Sequence, residues 1–148
     1  MVLRRFFKLK IIFLFLLLSF NIFSQEHDFT GEYHIELINT DKNIIKYWLT
    51  LNPDQSFFFH SYTYNERATP TTINNYGKGV WSAKDMVLSF ITNKTKDIDK
   101  KHRLDFTNSK ARFITKHHRD KTPRLVQARL QFFESEIPWI VKTQLFKR

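Results

Sequence analysis

The sequence predicts an all-β protein: an export leader followed by one antiparallel β-barrel of about eight to nine strands, with a β-sandwich as the alternative architecture. Three observations carry this expectation. Arg4, Arg5, Lys8 and Lys10 precede the unbroken apolar run Ile11 to Leu18, which is the layout of a secretory signal. From Tyr33 onward apolar residues recur at every second position, the period of a half-buried strand. Clusters of Asn, Asp, Pro, Lys and Gly interrupt the pattern at the intervals of short antiparallel strands.

The leader is expected to occupy residues 1 to 24, with cleavage between Ser24 and Gln25, because Ser24 offers a small residue after the apolar region. Even Ile11 to Phe23 falls short of the ~20 residues that span a bilayer, so no stable membrane span is expected after processing. The product is expected in the periplasm or secreted. Removing 24 of 148 residues leaves 124, numbered 25 to 148, and a chain of that size buries roughly two-thirds of its unfolded surface in one core. A single domain is therefore expected. The chain contains no Cys, which excludes disulfides, thiol chemistry, thiolate metal sites and a lipid on an N-terminal cysteine.

Strands follow from the alternation. Tyr33, Ile35 and Leu37 share one face opposite Glu32, His34 and Glu36. After the turn Thr40 to Asn43, Ile45, Tyr47, Leu49 and Leu51 oppose Lys46, Trp48 and Thr50. Asn52-Pro53-Asp54-Gln55 is a turn by composition, leading into Phe57, Phe58 and Phe59 and on through Tyr62 or Tyr64. Asn65 to Tyr76, with Pro70 and many Thr and Asn, reads as a long loop. Gly77 and Gly79 precede Val80 and Trp81, where the chain can bend or another backbone can approach closely. Ala83 to Asp85 turns into the strand Met86 to Thr92. The polar segment Asn93 to Lys101 leads to short strands His102 to Phe106 and Ala111 to Lys116, and after the charged loop His117 to Pro123 come Arg124 to Phe133 and Trp139 to Phe146.

Gly31-Glu32-Tyr33, Leu51-Asn52-Pro53-Asp54-Gln55-Ser56-Phe57 and Gly79-Val80-Trp81 together resemble the small lipocalin-like barrels exported by Bacteroidetes-type bacteria. In those families a Gly-x-Trp or Gly-x-Tyr opens the barrel, a Leu-x-x-Asp-Gly-x-Phe hairpin follows, and a Gly-x-Trp strand comes next. The resemblance spans most of residues 29 to 92 and implies a lipocalin-like barrel, in families of uncharacterised function. Gln55 stands where Gly is usual, and Tyr33 where the lipocalins proper carry Trp. The Cys-x-x-Cys of the related copper-stress lipoproteins is missing, so no metal role carries over.

The strongest functional signal is aromatic content. Once the six Phe of the leader are removed, ten Phe, five Tyr and three Trp remain. Tyr33, Phe57, Phe59, Tyr62, Trp81, Phe90 and Trp139 are the candidates to line a site for a small apolar or amphipathic ligand, since such sites combine an apolar wall with few polar groups. The competing expectation is that these rings fill a solid core. Charge supplies a second candidate: residues 25 to 93 carry −3, whereas residues 94 to 124 carry eleven basic against four acidic residues, +7. Lys116, Arg119 and Lys121 are candidates for an anionic envelope partner, whether glycan, lipid or protein. Nucleic acid is not expected, because export removes the usual target.

No catalytic signature is present. His27, His34, His60, His102, His117 and His118 lack the ligand spacings of metal sites, so no metal and no cofactor are expected. Glu134-x-Glu136 and Asp97-x-Asp99 lie in polar connections, where the dry environment that raises a catalytic carboxyl is missing. There is no nucleophile elbow and no phosphate-binding Gly loop. Asn93-Lys94-Thr95 matches a glycosylation acceptor, a frequent chance match that presupposes a eukaryotic route. An enzyme is not expected.

Overall fold

The computed structural model describes residues 28 to 148; the expected leader and its cleavage position lie outside the described residues. Nine strands follow one another: β1 Gly31–Ile38, β2 Ile44–Leu51, β3 Ser56–Tyr64, β4 Thr72–Lys84, β5 Val87–Ile91, β6 His102–Leu104, β7 Ser109–Ile114, β8 Arg129–Glu134 and β9 Gln144–Lys147, with a 3-10 turn at Pro138–Ile140 before β9. The hydrogen-bonded order is β3-β2-β1-β9-β8-β7-β5-β4, and β3 also pairs with β4. The sheet thus closes on itself as an antiparallel barrel of eight strands, and β6 is an extra strand running parallel to β4. Closure removes the edges that a sandwich would leave open. The closing pairings all lie between Gly31 and Lys147, so the barrel is complete without residues 1 to 27.

Alternation places Tyr33, Tyr47, Leu49, Leu51, Phe57, Phe59, Trp81, Leu88, Phe90, Ala111, Phe113, Leu130, Phe132 and Leu145 inside. The registers orient two ends. At the proximal end lie Gly31, Leu51, Ser56 and the β4–β5 turn; at the distal end lie Ile38, Tyr64, Ile91 and Glu134.

The proximal end is plugged. Phe29 meets Trp81 and Phe113 edge-on, with ring centroids 6.4 and 5.2 Å apart, and the Tyr33 hydroxyl donates to the Phe29 carbonyl at 2.6 Å. Burial pushes the Tyr33 phenol well above its ordinary value, because an anion there would lose its water. The Trp81 indole N–H donates to the Asn52 carbonyl at 3.2 Å.

Four segments depart from the sequence expectation. Thr72 to Tyr76 belongs to β4, because the loop after β3 is shorter than expected: Asn65 donates to the Thr71 carbonyl and the ladder with β3 starts at Thr72. The strand expected over His102 to Phe106 stops at Leu104, since the Phe106 ring turns inward and its N–H donates to the Thr92 hydroxyl. Arg124 to Ala128 alternates but is not a strand; β8 starts at Arg129, opposite Ile114, where β7 ends. The strand expected over Trp139 to Phe146 starts only at Gln144, because Trp139 and Ile140 join Pro138 in the 3-10 turn, burying Ile137 and Ile140 at a spacing that one short turn places on the same side.

Candidate functional site

The barrel interior is filled at mid-height. Phe106 enters from the segment after β6 and packs its ring 5.3 Å from Phe57 and 5.0 Å from Phe59, with Phe90 and Phe132 at 6.3 and 6.4 Å. These distances are those of directly contacting rings. Gly77 makes room for it, since a Cβ there would stand 2.6 Å from the Phe106 ring. Of the residues expected to line a ligand site, Tyr33, Phe57, Phe59, Trp81 and Phe90 are therefore buried parts of the core and its proximal plug.

Tyr62 and Trp139 lie elsewhere. Tyr62 has the opposite parity from Phe57, Phe59 and Ser61 and sits on the outer face, between Lys46 and Asn74. Trp139, on the 3-10 turn, is 41% exposed and packs at a tilt against Tyr47 and Phe59 with centroids 5.4 and 6.1 Å away. It roofs part of the distal mouth.

Beside Trp139 the sheet β1–β4 extends past the filled zone. Leu37, Ile45, Thr63 and Ile73 are aligned across four strands and share the parity of the core residues. Leu37 and Ile73 are nevertheless each 46% exposed, because the facing strands β5, β8 and β9 are too short to cover them. One row deeper stand Ile35, Tyr47, Ser61 and Asn75, with the Asn75 amide donating to the Ser61 hydroxyl at 3.3 Å. The mouth is thus an apolar wall with a small polar group set just inside it. Sequence reading missed it, because Leu37, Ile45 and Ile73 carry the same alternation signal as residues that are fully covered.

A concavity of about 580 Å³ lies at the proximal end, lined by Asp28, Phe29, Thr30, Pro53, Gln55, Trp81 and Ala83. It opens broadly to solvent, and its Asp28 and Thr30 side chains bond one another. The Asp28 carboxylate accepts from Thr30 and Lys147, which hold it below the usual carboxylate value.

The outer surface carries an arrangement that no sequence spacing suggests. His34, Trp48, His60, Tyr76 and His102 occupy one register line across β1, β2, β3, β4 and β6. Trp48 stacks on His60 at 4.9 Å and His60 on Tyr76 at 4.4 Å, while His34 and His102 flank the column at 5.5 and 6.1 Å. The His60 Nε2 lies 2.8 Å from Asn74 Oδ1. Desolvation, helped by the nearby Arg148 charge, lowers the affinity of His34 for a proton. Because the inner rings face one another, they offer solvent mainly their edges.

The basic stretch does not form one surface. Lys94 to Lys101 follows the distal end of β5, and Lys116 to Arg124 follows the proximal end of β7. Lys116, Arg119 and Lys121 all lie in the proximal loop, where Lys116 donates to the Thr122 carbonyl and Asp120 accepts two bonds from the Arg124 guanidinium.

The carboxylates of the two sequence pairs are engaged in different ways. Asp99 accepts from the backbone N–H groups of Lys101 and His102 and from Lys78, bonds that hold it far below the ordinary range. Glu134 pairs with Lys110 at 2.8 Å. His117 and His118 stack at 4.4 Å, and among the described residues no group of three or more His, Asp or Glu is placed to hold a metal ion. Comparison with protein-family models, with curated proteins and with solved structures finds no match to this chain.

Proposed function

We propose that the protein is exported by its first 24 residues and acts without catalysis, holding a small apolar or amphipathic molecule at the distal mouth of the barrel. The observation that carries this reading is the row Leu37, Ile45 and Ile73 beside Trp139, an inward-facing apolar wall left half-exposed beyond a filled core. An isolated exposed Leu is ordinary. Aligned inward-facing residues near an exposed indole form an apolar patch of the kind that ligands cover. Ser61 and Asn75 lie where the polar end of an amphipathic ligand would reach.

The test is titration of the processed chain with a fluorescent fatty-acid analogue. Saturable one-to-one binding is expected, weakened at least tenfold by Ile73→Asp or Trp139→Ala, about the value of one lost apolar contact. Absence of saturable binding, or affinity indifferent to both substitutions, would refute the reading.

A further inference from the structure

We infer that the loop from Lys116 to Gln127 docks the proximal end of the barrel on an anionic phospholipid surface. Lys116, Arg119, Lys121 and Arg124 stand against one acidic residue of the loop, Asp120, and Asp120 is already paired with Arg124 at 3.0 Å. Arg119 and Lys121 are exposed. Next to Arg124 stands Leu125, an apolar side chain 99% exposed to solvent. Basic residues draw a protein to an anionic membrane, and an apolar side chain beside them can then leave water for the headgroup and acyl boundary. An anionic polysaccharide would satisfy the cations but leave Leu125 in water. Lipid is the occupant that uses both features.

The end of the loop is anchored to the barrel. The Lys147 N–H donates to the Ala128 carbonyl at 2.8 Å, and the Gln127 amide donates to the Lys147 carbonyl at 3.1 Å, tying the loop's end to β9. The Lys147 ammonium in turn donates to the Asp28 carbonyl at 2.7 Å. The loop therefore lies beside the point where the N-terminal segment joins the barrel.

The chain has no cysteine, so Leu125→Cys in residues 25 to 148 gives a single site for an environment-sensitive nitrobenzoxadiazole label. Phosphatidylglycerol-containing vesicles should shift its emission to the blue, and pure phosphatidylcholine vesicles should not. In the unlabelled chain, Arg119→Glu with Lys121→Glu should weaken co-sedimentation with the anionic vesicles by about 25-fold or more, since each surface cation contributes about fivefold. Leu125→Asp should also reduce it, with thermal unfolding unchanged in both variants because the altered side chains are exposed. A label that keeps its aqueous spectrum while the protein sediments with vesicles would overturn the inference. So would binding to dextran sulfate as tight as to the vesicles together with indifference to Leu125→Asp, which would point to a polyanionic glycan instead.

Discussion

Gln55 adopts a φ of 66° in the β2–β3 turn, a left-handed conformation that costs a side chain with a Cβ roughly 1 to 2 kcal/mol. The turn uses that geometry: Gln55 donates to the Asn52 carbonyl, its own carbonyl accepts from Trp81, and Asp54 accepts from the backbone and hydroxyl of Ser56. Gln55→Gly should keep these backbone bonds and remove the strain. Part of the gain is offset by the greater freedom of Gly in the unfolded chain, leaving a net stabilisation of about 0.5 to 1 kcal/mol in urea unfolding. A destabilised variant would mean that the Gln side chain contributes more than its backbone strain costs. This departure from the Gly usual in resembling hairpins was visible in the sequence. So was the close approach at Gly79, where a Cβ would lie 2.2 Å from the Ile91 carbonyl oxygen. Both signals are legible because turn chemistry and glycine tolerance are local properties of the backbone.

At the level of elements, β6 shows how a three-residue strand is kept in place. It pairs with β4 at Tyr76 and Gly77, where β4 has run beyond its pairing with β5, and Asp99 clamps it through Lys101, His102 and Lys78. Those bonds favour the carboxylate, so its proton affinity is lower folded than unfolded. The stabilisation is therefore present above the ordinary value of 3.8 and is lost as pH falls below it. Asp99→Asn should lower the melting temperature at pH 7 and should also flatten its decline between about pH 4 and pH 2. An unchanged acid profile would remove Asp99 from the clamp. Sequence alternation alone could not place the ends of these elements. Val126 and Ala128 continue the pattern of β8, yet β7 stops at Ile114, and only β9 reaches Ala128, through the Lys147 N–H. The expected strand Trp139 to Phe146 loses its first residues to the 3-10 turn, which Pro138 at its first position favours.

For the molecule as a whole, Phe106 converts a closed sheet into a solid body. Its ring is fully buried, and Thr92 fixes its backbone by accepting the Phe106 N–H while donating to the Lys78 carbonyl. Phe106→Ala should cost about 3 to 5 kcal/mol in urea unfolding, the range for deleting a buried aromatic and leaving its cavity. A loss below about 1 kcal/mol would mean that the surrounding rings collapse into the space and that the barrel centre is plastic. The filled centre is also why the candidate ligand wall lies at the distal mouth, away from the Phe57 to Phe59 and Trp81 positions to which aromatic content first pointed.

The all-β class and most of the buried set were determined by the sequence itself, because the alternation of side chains across a strand is written in consecutive residues. Closure into eight strands, the alignment of His34, Trp48, His60, Tyr76 and His102, the inward turn of Phe106 and the separation of the basic residues between two ends were decided only in the tertiary structure. Each depends on registers between strands distant in the chain and on how far facing strands extend. Those are properties of paired strands, which the pattern within one strand does not contain.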